Sequence, residues 1–292
     1  MKKILQIHRG TERHWVGDGF HVSSLFTYDD LGQETLSPFL LMDYAAPESF
    51  PAGKHRPGVG EHPHRGFETV TLAFQGEVEH RDSGGGGGKI GPGDVQWMTA
   101  ASGVMHEEMH SQAFAEKGGV FEMIQLWINL PAKDKMRAPR YQTLLAAEIP
   151  AVSLPGGGGR VRVVAGRHGG VVGPAKTFSP VDLWDIELKA GARLALDLPE
   201  GNTAAVFVRH GRVALNGGPE KAGDSTLAIL SREGRTAELA AETDSALVFL
   251  GGRPLGEPVV GYGPFVMTTK QEIAQAVADV RSGRFTRLAP AS

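Results

Sequence analysis

The chain has 292 residues, enough for two domains that each bury a core. Hydrophobic residues make up 41% and charged residues 22%, with 30 Lys and Arg against 33 Asp and Glu; this is a globular composition without the positive field that draws a protein to nucleic acid. Cysteine is absent, which removes disulfides, thiolate nucleophiles and iron–sulfur clusters and leaves any metal to His and carboxylates.

The N-terminal stretch MKKILQIHRGTERHW turns to charge before a signal-peptide apolar stretch forms, and no later run of about 18 apolar residues exists. A cytoplasmic protein without a membrane span is expected. Glycine (40) and proline (18) then punctuate short runs rich in Val, Leu, Ile, Phe and Thr: 68–74 (ETVTLAF), 95–98, 121–130 (FEMIQLWINL), 160–164, 183–188, 204–208 and 246–250. That punctuation predicts an all-β barrel or sandwich. The five glycines at 84–88 precede Lys89 but fail the phosphate-loop pattern, because Ser83 and Ile90 occupy the positions of its first Gly and its Ser/Thr; they read as a hairpin tip.

Phe74-Gln75-Gly76-Glu77-Val78, followed by Pro92-Gly93-Asp94, returns as Arg209-His210-Gly211-Arg212-Val213, followed by Ala222-Gly223-Asp224. In each copy a strand ends at a glycine turn, a second strand returns and a Gly-Asp turn starts a third, which predicts two copies of one barrel. The join falls between Pro131 and Gly159, where Lys133, Lys135, Arg137 and Arg140 mix with prolines and a four-glycine run, read as a linker with a short helix. The expected domains are 1–135 and 136–292. At the C-terminal end, Thr269-Lys-Gln-Glu272 forms a capping box, Ile273, Ala276, Val277 and Val280 share one face, and Gly283 suits the position after the helix. Such a helix covers a sheet edge or barrel end.

His62-Pro63-His64 puts two imidazoles at i and i+2, which an extended strand points to one side. Eleven histidines produce about 0.4 such pairs by chance, so the pair needs support. His106-Glu107-Glu108 supplies it, because His106 and Glu108 are again i and i+2; facing strands complete a set of three His and one carboxylate. Four ligands leave two positions open on an octahedral metal. The competing alternatives are solvated loop histidines, and a zinc metalloprotease motif in His106-Glu107-Glu108-Met109-His110. The latter requires a helix where a β-rich run stands, and leaves His62 and His64 unexplained.

HPHRGFETV (62–70), SGVMHEE (102–108) and QLWINLP (125–131), with GDGF (17–20), PFLLMD (38–43) and the C-terminal helix, resemble the pirin family over nearly the whole chain. The resemblance implies two tandem cupin (double-stranded β-helix) barrels, metal ligands at His62, His64, His106 and Glu108, and a metal-free second cupin. It selects Glu108 over Glu107. The repeat places Asp197, Pro199, Thr236 and Glu238 opposite these four positions. The resemblance further implies one divalent transition metal, Fe(II) by family expectation, although nitrogen and carboxylate ligands also accept Mn, Co, Ni, Cu or Zn. The implied activity is quercetin 2,3-dioxygenase cleavage of a flavonol with dioxygen, with Glu108 as both ligand and proton acceptor. The alternative is an iron-dependent, redox-sensing binding or regulatory protein without physiological turnover, a reading that leaves room for a protein partner. Asp43, Arg65 and Gln125 lie in the matched motifs as candidates to orient ligands or substrate, while Phe67, Trp97 and Trp127 read as barrel core. His55, His80 and His110 receive no role.

Overall fold

A computed structural model describes residues 1–31 and 33–285. The Val-, Leu- and Phe-rich runs form strands, and all the strands named here pair antiparallel. They gather into two units of the same design, each pairing a seven-stranded sheet with a four-stranded one.

The first unit comprises Glu12–Gln33, Phe39–Ala146 and the chain from Leu255. Its larger sheet runs Arg140–Leu144, Val95–Thr99, Phe67–Gln75, Gly119–Asn129, Phe39–Phe50, Phe20–Phe26, His14–Val16; its smaller sheet runs Gly58–His64, Val104–His110, Val78–Asp82, Gly87–Ile90. In the second unit the larger sheet runs Ile4–Arg9, Thr226–Leu230, Thr203–His210, Ser245–Gly252, Val181–Leu188, Gly159–Ala165, Ala151–Ser153. Its smaller sheet runs Arg193–Asp197, Thr236–Ala241, Val213–Leu215, Lys221–Ala222. The repeated turns are equivalent: Gly76 (φ +78°) and Gly211 (φ +91°) each end a strand of the larger sheet and lead into the smaller one. A Cβ on Gly76 would lie 2.6 Å from the Phe121 ring, so the turn needs glycine for space as well as for φ.

The units interleave along the chain instead of dividing at residue 135. Ile4–Arg9 pairs with Thr226–Leu230 and becomes the outermost strand of the second unit's larger sheet, so the N-terminal residues belong to the later unit. The helix Lys270–Arg281, with the expected capping box and Gly283 at φ +72°, belongs to the first unit. Its Ile273 and Ala276 pack with Phe265, Met267 and Phe285. Residues 131–159 also do more than link. Arg140–Leu144 adds an edge strand beside Val95–Thr99, and Ala151–Ser153 pairs with Gly159–Ala165. Lys135, expected as a linker charge, is buried and donates to Gly66 O (2.7 Å), Asn129 Oδ1 (2.5 Å) and Val266 O (2.8 Å), tying down the turn that follows His64.

Among the described residues, no helix is long and apolar enough to cross a membrane.

Candidate metal centre

Gly58–His64 is the edge strand of the smaller sheet, a position that tolerates Pro63 between the two histidines. It runs antiparallel to Val104–His110 with His62 opposite His106 and His64 opposite Val104. The register brings three rings together, with centroid separations of 4.8 Å (His62–His64), 4.2 Å (His62–His106) and 4.7 Å (His64–His106). One ring nitrogen of each lies within 4.8 Å of the others. His106, Glu108 and His110 are the buried positions of an alternating strand, so the metalloprotease reading of this segment lacks its helix. His110 lies among Phe20, Phe50, Phe114 and Phe121, and its Nε2 meets Gly19 O at 2.9 Å.

Each ring of the triad is held from its Nδ1 side: His62 by Gly60 O at 2.8 Å, His64 by Pro264 O at 3.4 Å, and His106 by His80 Nδ1 at 3.4 Å. Nε2 of His106 is buried with no hydrogen-bond partner, an uncommon condition for a polar atom. Burial, reinforced by the neighbouring imidazoles, pushes His64 and His106 well below the usual imidazole range, so these rings present neutral lone pairs. Converging imidazoles backed at Nδ1 and an orphaned Nε2 fit a divalent transition metal.

Glu108 faces the same cavity but is not part of the converging set. Its Oε1 accepts from Gln96 Nε2 and lies 3.2 Å from the Thr71 hydroxyl, and Gln125 Nε2 approaches Oε2 at 3.4 Å. These partners belong to a polar row across the larger sheet, in which Asp43, Gln125, Thr71 and Gln96 sit opposite one another on four adjacent strands. Asp43 accepts from Ser24 Oγ at 2.6 Å, and burial raises its carboxyl above the usual range. Asp43 and Gln125 both line the cavity.

Arg65 does not. It follows His64 on the chain and points to the other side, where Nε donates to Ser102 O (2.6 Å), Nη1 meets Asp279 Oδ2 (2.9 Å) and the guanidinium lies 4.6 Å from the Phe285 ring centre. Phe67 and Trp97 are core, whereas Trp127 stacks on Phe67 at 4.2 Å and lines the cavity beside His64. Sequence reasoning missed Thr71, Gln96, His80 and Asp82. Their available signal was a polar residue inside an apolar buried strand and a His-x-Asp pair at i and i+2.

The cavity, about 210 Å³, is walled by Phe20, Val22, Val59, Met123 and Trp127, with His62, His64 and Glu108 at its polar side. In the second unit the register corrects the expected equivalences by one residue. His110 sits opposite Val78 as Ala241 sits opposite Val213, so His106 and Glu108 correspond to Ala237 and Leu239. Leu196, opposite Ala237, then corresponds to His62, and Leu198 to His64. These replace Asp197, Pro199, Thr236 and Glu238, which a one-residue slip puts on the other face. All four inward positions are buried in the aliphatic core and offer no donor atom.

Near this site Glu68 is buried; burial pushes its carboxyl up to about 7, against the Thr99 hydroxyl at 2.6 Å and Arg140 at 3.9 Å. A folded pKa above the unfolded one contributes stability below about pH 4.5 that is lost as pH rises through about 7. Urea midpoints at pH 5 and pH 8 should show wild type losing about 2–3 kcal/mol more than Glu68→Gln over that interval. Equal losses in both proteins would mean that Glu68 ionises without cost.

Two double-sheet barrels of matching strand order, one with a converging imidazole triad, define a bicupin. The Pirin family model matches residues 19–128, and the Pirin C-terminal cupin domain model matches residues 183–286. A Pseudomonas aeruginosa protein named "Putative quercetin 2,3-dioxygenase" is 58% identical over 98% of this chain and 99% of its own. Mouse pirin is 38% identical over 86% of this chain and 83% of its own. The crystal structure of a quercetin 2,3-dioxygenase from Acinetobacter baumannii superposes with a TM-score of 0.95 at 53% identity, covering 99% of this chain and 100% of that one. This chain belongs to the pirin family.

Proposed function

We propose that this protein is a metal-dependent dioxygenase that opens the central ring of a flavonol such as quercetin, with one divalent metal, Fe(II) by family expectation, held by His62, His64, His106 and Glu108. The observation that carries the proposal is the buried, partnerless Nε2 of His106 beside two converging imidazoles, His62 and His64, which line an apolar cavity. The names of the Pseudomonas and Acinetobacter relatives support the substrate class.

When bound, the metal supplies a Lewis-acidic, redox-active centre for dioxygen and for the flavonol 3-oxygen. The protein's own groups do the rest. Phe20, Val22 and Trp127 exclude water and flank a flat ring, and Gln125 and Asp43 offer polar contacts at its edge. At about 210 Å³ the cavity is smaller than the roughly 300–1,000 Å³ that buries a drug-sized ligand whole, so the reacting end of the flavonol enters and the remainder lies toward the mouth. Glu108 takes the 3-hydroxyl proton on a carboxylate oxygen, while Gln96, Thr71 and Gln125 keep the group aimed into the cavity. In the net reaction flavonol plus dioxygen becomes a depside plus carbon monoxide, and the balance closes without another oxidant.

The test is aerobic quercetin loss with carbon monoxide detection, after anaerobic iron loading of wild type and Glu108→Gln. Carbon monoxide from wild type, with turnover reduced about 100-fold or more in the variant, supports the reading; the upper range for a positioned general base sets that size. Full turnover in a variant that retains its metal removes Glu108 from the chemistry. Bound metal without turnover in wild type favours the redox-sensing regulatory alternative.

A further inference from the structure

We infer that Asp82 and His80 are positioning residues that set the tautomer of His106 and thereby aim its Nε2 lone pair into the site. The inference rests on the reading of His106 as a metal ligand. His80 and Asp82 are i and i+2 on Val78–Asp82, the strand on the opposite flank of Val104–His110 from His62 and His64. Both side chains are buried, His80 completely.

The chain of hydrogen bonds has one sense throughout. Asp82 Oδ1 accepts from the backbone N–H of Gly84 at 2.8 Å and of Gly86 at 2.9 Å, so the glycine tip fixes which carboxylate oxygen turns inward. The other oxygen, Oδ2, lies 3.1 Å from His80 Nε2. A carboxylate only accepts, so Nε2 of His80 carries a proton, and in the neutral ring Nδ1 is then the lone-pair atom. That lone pair faces His106 Nδ1 at 3.4 Å, which must then be the donor. With its proton on Nδ1, His106 has a bare Nε2, and this is the buried atom without a partner. Tyr141 stacks on the His80 ring at 4.7 Å and 13°, fixing its plane, and its hydroxyl donates to Gln96 Oε1 at 3.3 Å. The supports of His106 and of Glu108 thus join through one tyrosine. Outer groups of this kind orient a ligand and fix its tautomer, and their loss costs 10–100-fold in metal affinity.

Asp82→Asn is the incisive variant because it keeps the shape and reverses one contact. The asparagine carbonyl must serve the two glycine N–H groups, so its NH₂ faces His80 Nε2 and turns that nitrogen into an acceptor. The His80 proton moves to Nδ1, and His106 moves its own to Nε2, covering the lone pair. Long-range ¹H–¹⁵N spectra of metal-free, ¹⁵N-histidine-labelled protein read the tautomers directly, and Co(II) competition against a chromophoric chelator reads affinity. The expected result is Nδ1-protonated His106 in wild type, Nε2-protonated His106 in Asp82→Asn, and Co(II) binding weakened about 10–100-fold with the melting temperature of the metal-free protein unchanged. His80→Phe keeps the stack on Tyr141, removes the acceptor, and should weaken Co(II) binding by a similar factor. An Nε2 proton on His106 in wild type, or a variant with the wild-type tautomer and affinity, overturns the inference. Wild type that binds no Co(II) overturns the ligand reading of His106 instead, and the spectra still decide whether Asp82 controls the tautomer.

Discussion

His106→Ala is expected to leave the protein folded and unable to retain metal: elemental analysis should find near-stoichiometric metal in wild type and almost none in the variant. Affinity should fall by more than about 100-fold, because losing an outer partner of a ligand already costs up to that factor. Flavonol turnover should fall with it. The effect is large because His106 is the innermost of the three rings, fully buried, and its Nε2 has nothing else to bind. His62 is half-buried at the strand edge, so His62→Ala should lose metal less completely. Wild-type metal content in His106→Ala, or metal-free wild type after reconstitution, would sink the proposed site.

Asp279→Ala is expected to be the costliest stability change outside the core. Asp279 is the counter-charge of a buried Arg65, and also accepts from Gln275 Nε2 (2.8 Å) and Arg284 Nη1 (2.9 Å). Removing one partner of a buried ion pair strands the other charge and costs about 3–5 kcal/mol, roughly 10 °C in melting temperature. Asp279→Asn keeps the acceptor oxygen and should lose less. Metal content should remain near wild type in both, because the Arg65 side chain faces the helix rather than the cavity. A melting temperature within about 2 °C of wild type in Asp279→Ala would mean that the helix is held by its apolar face alone.

The contrast between His64 and Arg65 illustrates where sequence reading succeeds and where it stops. Both belong to one recognisable string, and both were candidates for the site. The two-residue period of a strand separates them, but only knowledge of which face is inward assigns His64 to the cavity and Arg65 to the helix. Asp43 and Gln125 were candidates on the same grounds, and the register that places them side by side also adds Thr71 and Gln96, which no local feature marks as part of the same row. His80 carried no role in the sequence because, although its partner Asp82 lies two residues along the same strand, its target His106 comes beside it only when the two strands pair.

What the sequence determined by itself is what depends on neighbours along the chain: the glycine turns at 76 and 211, the capping box at 269–272, the i and i+2 histidines, and an all-β pattern that denies His106–His110 a helix. What the tertiary structure decided is what depends on register between distant strands. The interleaved units, the outward turn of Arg65 and the polar row that supports Glu108 are of this kind. So is the one-residue offset that puts Leu196, Leu198, Ala237 and Leu239 where the other barrel carries His62, His64, His106 and Glu108. The physical reason is that alternation along a strand is local, whereas its phase relative to the interior is set by hydrogen bonds to residues far away in the chain, and a shift of one residue exchanges the two faces.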